Sequence, residues 1–218
     1  MDNTSANEKT LAFSYLELRK IVGLLGIALP FILALGALLL FDKGIQSSIS
    51  SYYHTGMGDV LVGTACVIGV FMFVYKGHEK SDDIVGDFAC FFAVGLALFP
   101  NNPGDVLADV SRASEYIHLA CAGGFFVTLI VFSLFLFTKT DPKKTPSKEK
   151  LQRNKVYRAC GYLMLICILL VAIYKIMPES TVSSLKEYKP VFWLESIAFI
   201  AFGISWLTKG EGLLADKP

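Results

Sequence analysis

Charge is scarce in this sequence, and that scarcity is the first thing to narrow the protein's class. Asp, Glu, Lys and Arg make up 18% of its 218 residues, against about 25% in an average soluble domain. The formal net charge is +1, so no global field draws the chain to nucleic acid or to an acidic substrate. Cysteine is sparse as well. Cys66, Cys90, Cys121, Cys160 and Cys167 all fall inside apolar stretches. They lack both CxxC spacing and the loop positions of a disulfide framework, and read as small buried hydrophobes. A cleavable leader is not expected either. The first apolar run follows about twenty polar residues, exceeds the ~7–15-residue core of a signal peptide, and has no small-residue cleavage site behind it, so it is expected to stay as a membrane helix. No internal repeat is visible, and neither HExxH nor HxxxH occurs among the three histidines.

What the chain has instead is apolar material in blocks. Hydrophobic residues reach 54%, with a mean hydropathy of +0.54, and the blocks approach the ~17–25 helical residues that cross a hydrocarbon layer. Scanning for apolar runs bounded by charge predicts six: Lys20–Phe41, Asp59–Tyr75, Ile84–Pro100, Glu115–Phe137, Tyr157–Met177 and Val191–Thr208. Open sheet edges do not survive in lipid, and the alternation of a transmembrane barrel is missing, so an all-α polytopic membrane protein with six transmembrane helices is expected. The third block is short and carries Asp87, which a helix largely surrounded by its neighbours would tolerate. Pro30 is expected to kink the first helix. Ala93/Ala97, Ala120/Gly124 and Ala201/Ser205 have the spacing of close helix packing.

Orientation follows from basic residues, which concentrate on the cytoplasmic side. Fifteen of the twenty Lys and Arg fall on the side of the two termini, predicting N-in/C-in. Residues 1–19 and 209–218 are then cytoplasmic tails, and residues 20–208 form a single transmembrane domain with a basic cytoplasmic loop at 138–156. That loop, Lys143-Lys144 through Lys155 with Pro142 and Pro146, reads as a linker. Its basic residues over 139–158 are expected to attract anionic lipid head groups. No folded module surrounds it, so no nucleic-acid partner is expected. His78, in a short inner turn, receives no function.

With this orientation the unusual polar residues gather at the outer helix ends. They are the serine-rich segment with Ser50, Ser51, Tyr53 and His54, then Asp59, Asn101, the triad Arg112, Glu115 and His118, and finally Trp193 and Glu195. Residues spaced three apart share a helix face, so Arg112, Glu115 and His118 are expected to form a hydrogen-bonded cluster. A carboxylate about a turn and a half into a membrane helix needs a partner. For Glu195, Arg112 or His118 is expected to supply it. Glu-x-x-His can also present a carboxylate and an imidazole to one metal, which makes His54, Asp59, Glu115 and His118 candidate ligands for a divalent ion such as zinc. Tyr52, Tyr53, Tyr188 and Trp193 read as an interfacial aromatic belt.

The segments Ser50-Ser51-Tyr52-Tyr53-His54-Thr55-Gly56 and Glu115-Tyr116-Ile117-His118-Leu119-Ala120-Cys121-Ala122 resemble the Frag/DRAM/Sfk group of six-helix membrane proteins. Where many members carry Asp-x-Gly after the loop serine, this chain has Ser51-Tyr52-Tyr53. The resemblance implies a six-helix plan over nearly the whole chain and a non-catalytic role in membrane or lipid homeostasis. A second pattern, Arg153-Asn154, Tyr157 and Cys160-Gly161 followed by Phe192-Trp193-Leu194-Glu195, is similar to uncharacterised bacterial membrane proteins, which implies a prokaryotic inner membrane.

The leading expectation is therefore a non-catalytic membrane protein that binds or senses lipid or a membrane partner through an outer polar vestibule, with a second copy of the chain as one candidate partner. The enzyme alternative is a metal-dependent intramembrane lipid hydrolase in which His54, Asp59 and His118 hold the ion and Ser50 or Ser51 polarises the substrate carbonyl. A third reading is a proton- or cation-coupled transporter using Glu115, His118 and Glu195.

Overall fold

The structure is a computed structural model, and it describes residues 2–75, 77, 79–102, 110–140 and 145–215, with residues 2–14 as backbone alone. All regular structure among them is helical: α1 (Asp2–Phe41), a 3-10 turn (Ser50–His54), α2 (Gly58–Val74), α3 (Lys80–Leu98), α4 (Arg112–Val131), α5 (Lys148–Ile176), α6 (Glu179–Leu185) and α7 (Pro190–Lys209). A π turn, Phe132–Leu136, extends α4. Four segments are long and apolar enough to cross a membrane: Tyr15–Phe41, Arg112–Leu136, Lys148–Ile176 and Pro190–Lys209. The apolar helix α2 is shorter, at 17 residues.

Helix boundaries differ from the apolar blocks where capping and propensity, not hydropathy, decide them. Helix α1 begins at Asp2, far ahead of Lys20, because residues 2–19 are rich in helix formers and hold neither Gly nor Pro. The helix runs unbroken through Pro30. Helix α5 begins at Lys148 where Tyr157 was expected, so residues 148–156 are helix and not linker. Ser147 starts it, its hydroxyl accepting from the Lys150 N–H at 3.0 Å. Ser111 caps α4 in the same way through the Ser114 N–H at 3.2 Å. Lys143 and Lys144 of the expected basic loop, together with His78, lie outside the described residues. Within the loop, Lys150 donates to Phe137 O and Arg153 to Leu214 O, at 2.7 and 2.9 Å.

Helix α7 is the centre of the bundle, packed between α1 and α5, while α2, α3 and α4 pack side by side in succession. Of its apolar stretch 61% is buried, against 22% for α5, which places α5 at the periphery. Gly23 and Gly203 let α1 and α7 meet backbone to backbone: a Cβ on Gly23 would come to 2.7 Å from the Gly203 carbonyl oxygen. Ala93, Ala97, Ala201 and Ser205 are buried at helix contacts, and Gly124 meets the Phe92 ring, whereas Ala120 faces outward. Helix α3 is not ringed by neighbours as expected. Ile84, Phe88 and Phe91 are more than half exposed, and Asp87 lies on the surface. The helix tolerates its charges because they crowd toward its first turns, where Asp82 accepts from the Glu79 N–H and from Lys139.

Candidate functional site

The segment after α1 folds on its own serines. Short hydroxyl side chains compete for local backbone donors and so tighten turns. Here the Ser51 N–H donates to Ser48 Oγ at 3.0 Å, and Ser51 Oγ lies 2.7 Å from Ser48 Oγ and 2.9 Å from Ser47 Oγ. The 3-10 turn that results is plugged into the bundle by Tyr52, which is fully buried with its ring 6.1 Å from that of Phe192. Tyr52 is therefore a core residue and not part of an aromatic belt, and burial pushes its phenol pKa up. Trp193 and Tyr188, by contrast, are exposed, as is Tyr116 in the first turns of α4.

Contacts stitch this segment to the rest of the bundle, among them a hydrogen bond of 3.4 Å from the Asn101 side-chain amide to Ser51 Oγ. The Phe192 N–H donates to Ser47 O at 3.1 Å. The Ile49 N–H donates to Glu195 Oε2 at 2.7 Å. His118 Nε2 lies 2.9 Å from Ser50 Oγ, and His54 Nε2 lies 2.7 Å from the Asn101 carbonyl oxygen. Glu195 is thus held by a backbone N–H, not by Arg112 or His118. The expected hydrogen-bonded Arg112–Glu115–His118 cluster does not form: Arg112 is exposed, and both His118 ring nitrogens are taken up elsewhere, Nδ1 lying 2.7 Å from Phe99 O and Nε2 2.9 Å from Ser50 Oγ. The reason is the free backbone at two breaks, the end of α3 and the start of the 3-10 turn, whose unpaired groups make better partners than an exposed guanidinium.

The structure brings Glu115, His118, Ser50, Asn101 and Glu195 to one cleft of about 360 Å³ between α4, α5 and the start of α7. Helix α4 presents Glu115, His118, Leu119, Ala122, Gly123 and Phe126, spaced as one helix face, while α5 presents Ile168, Val171, Ala172, Lys175 and Ile176. The cleft exists because α4 and α5 touch sparsely and Ala122, Gly123 and Ala172 on their facing sides leave space. A Cβ on Gly123 would meet no atom within 4 Å. A hollow of about 300 Å³ shares Ser48, Asn101, Asn102 and Lys175 with it, and adds Lys186 and Lys189. Ser50, His118 and Glu195 also line a narrower apolar space running inward past Ala65, Ala93 and Phe125. Tyr53 reaches this inner space too, but with Asp59 it also lines a separate hollow of about 410 Å³ between the starts of α2 and the end of α3.

Lys175 lines the cleft and is a residue that sequence reasoning missed, whereas Ser48 and Asn102, also in the lining, belong to the outer polar segments already expected at this end. The signal was available for Lys175, since the last turn of α5 falls at the same end of the bundle as the polar residues singled out above. Among the described residues no three His, Cys, Asp or Glu side chains stand close enough to share a metal ion. Of the four zinc candidates, His118 has both ring nitrogens engaged and His54 has Nε2 engaged. Compared with protein families, with curated proteins and with solved structures, the chain gives no significant match to any.

Proposed function

We propose that this protein binds a lipid with an anionic head group in the cleft between α4 and α5. The observation that carries the reading is the cleft's two-part lining. Ala122, Gly123, Phe126, Ile168 and Val171 make an apolar wall for a chain, and the adjoining hollow carries three lysines, Lys175, Lys186 and Lys189, the last donating to Ile45 O, against one acid, Glu179, where a head group would lie. A pocket that is mostly apolar with a few convergent polar groups is the usual form of a small-molecule site. The reading fits a chain crossing the membrane six times, N-in/C-in, in a prokaryotic inner membrane, with α2 and α3 as the two spans added to the four long apolar helices. The cleft mouth then lies at the outer interface, where a lipid's head and chain regions meet.

The test is photocrosslinking in nanodiscs with a diazirine-tagged phosphatidylglycerol, with tagged phosphatidylcholine as the comparison. The anionic probe should label peptides of α4 and α5 more strongly. Gly123→Phe adds a ring at a position where a Cβ meets no atom within 4 Å, and it should cut that labelling at least several-fold while leaving the melting temperature nearly unchanged. Equal labelling of wild type and Gly123→Phe would sink the reading.

A further inference from the structure

We propose that Ser50 is a nucleophile and His118 its general base, and that the protein cleaves the carboxylic ester of the lipid held in the cleft. The proposal rests on the lipid-binding reading above and adds chemistry to it. Its geometric basis is a chain of two short contacts: Phe99 O to His118 Nδ1 at 2.7 Å, and His118 Nε2 to Ser50 Oγ at 2.9 Å. A carbonyl oxygen has no proton to give, so the first contact requires the hydrogen on Nδ1. In the neutral ring Nε2 is then a bare acceptor, and the Ser50 hydroxyl must donate to it. Nucleophile, base and a third group orienting the base are the three parts an activated serine needs. The ring is only 6% exposed, which holds it in this orientation.

A clamp between the 3-10 turn and α4 would need a hydrogen bond, but it would not need Ser50. Ser48 and Ser51 bond each other, and Ser51 also bonds Ser47 and Asn101; of the two hydroxyls that line the cleft, Ser48 and Ser50, it is Ser50 that lies on an imidazole. It sits where the lining changes from Ser48, Asn101 and Lys175 to Ala122, Phe126 and Ile168. A glycerolipid bound with its head at the polar end and its chain at the apolar end carries its ester linkage at that change.

The step balances with water as the only co-reactant. The Ser50 oxygen forms a bond to the carbonyl carbon while its proton passes to His118 Nε2, and the carbonyl π electrons move to oxygen. Lys175, which lines the cleft beside Ser50, is the donor assigned to that oxyanion, since the Asn101 amide already donates to Ser51 Oγ at 3.4 Å. Collapse breaks the ester C–O bond, and the leaving alcohol takes the proton from His118. Water, deprotonated by His118, then cleaves the acyl–Ser50 ester to release a fatty acid and restore the serine.

Full-length protein in detergent, treated with an alkyl fluorophosphonate and digested for mass spectrometry, tests this. Wild type should carry the adduct on Ser50. Ser50→Ala should abolish it, His118→Gln should slow it by about 100-fold or more, and Ser180→Ala and added EDTA should leave the rate unchanged. Ser50→Cys, which keeps the contact, should be alkylated by iodoacetamide faster with His118 present than with His118→Gln, and this readout does not depend on turnover. An unlabelled Ser50 in monodisperse wild type, undiminished labelling of Ser50→Ala, the same rate in His118→Gln, or loss of labelling with EDTA would each overturn the proposal. The two readings fail separately. Photolipid crosslinking without an adduct on Ser50 removes the nucleophile and keeps the lipid site. An adduct without photolipid crosslinking removes the lipid site and leaves the serine acting on another ester.

Discussion

The two ends of the bundle are built on opposite terms. At the end carrying the Ser50–His54 turn, side chains are short, hydroxyls and backbone groups satisfy one another, and space is left between α4 and α5. At the opposite end, Tyr75, Phe132, Phe137, Tyr157 and Trp206 are nearly fully buried, with ring centroids 5.2 to 5.5 Å apart in the pairs Phe137–Trp206, Tyr75–Trp206, Phe137–Tyr157 and Phe132–Trp206. Cations close this cluster: Arg19 lies 5.3 Å over Tyr75, Lys209 5.3 Å over Phe137, and Lys150 5.8 Å over Tyr157. The π turn makes the cluster possible. On an α-helix residues five apart diverge, but the Phe137 N–H bonds to Phe132 O at 2.8 Å, and both rings point inward. Packing that leaves no room confers stability, and packing that leaves room keeps a site open. The protein separates the two tasks along its length.

Breaking the aromatic end should therefore have the largest effect on stability. Trp206→Ala removes the ring that touches Tyr75, Phe132, Phe137 and Phe202, and by the usual scale for large core truncations it should cost about 3–5 kcal/mol. Trp206→Phe should cost far less, about 1.5 kcal/mol at most, because the indole N–H has no partner among the described residues and its loss leaves nothing newly unsatisfied. Melting curves in detergent would read both. If Trp206→Ala melts no lower than substitutions in the cleft, the contrast between the ends collapses.

A smaller effect is expected where the cleft end is stitched. Glu195→Ala leaves the Ile49 N–H without its acceptor, a loss of about 1–3 kcal/mol, and Glu195→Gln, which keeps an acceptor oxygen, should lose less. His118→Ala releases the adjacent Ser50. Because Ile49 and Ser50 are consecutive in one turn, the two losses should not add: the double mutant should fall short of the sum by about 0.5 kcal/mol or more. Additivity within about 0.3–0.5 kcal/mol would mean that α4 and α7 hold the turn independently.

Much of this architecture was legible in the chain itself, for reasons that differ between residues. Apolar blocks marked the centres of the long helices because lipid solvation depends on composition alone. The gathering of Ser50, His118 and Glu195 at one end was legible from the order of the helices, since a chain of up-and-down helices returns alternate connections to the same end of the bundle. Their actual partners were not. Glu195 bonds a backbone N–H, His118 a backbone carbonyl and a loop serine, and His54 another carbonyl. Side-chain patterns on a single helix carry no information about main-chain groups left free elsewhere. Tyr52 was misplaced for a related reason: a tyrosine at a helix end reads as interfacial until its neighbours are known. The early start of α5 was written in Ser147 and Glu149, a capping signal that a scan for hydropathy passes over.

The smallest expected effect lies at the surface of the aromatic end, and it separates charge from packing there. Lys139 Nζ bridges Asp82 Oδ1 at 2.7 Å and Glu79 Oε2 at 2.9 Å, joining the end of α4 to the start of α3. Hydrogen bonding to Asp82, and then to Glu79, raises the lysine pKa, and the lysine lowers that of Glu79. Each shift stabilises within its own window. The Glu79 contribution is present above its unfolded pKa of about 4.3 and is lost as pH falls through the lowered folded value. The Lys139 contribution is present below about 10.4 and is lost as pH rises through the raised folded value. The bridge's share of the melting temperature, read as wild type minus variant, should therefore be flat between these limits and decline outside them, with Glu79→Gln removing the acid decline of that share and Lys139→Met removing both. Because Glu79 is exposed, its share should be small and should shrink in high salt. Lys139→Met should still lower the plateau, since it strips a cation from Asp82, whose side chain is 2% exposed. A Lys139→Met curve that overlays wild type at every pH and salt concentration would leave this end held by its aromatic rings alone.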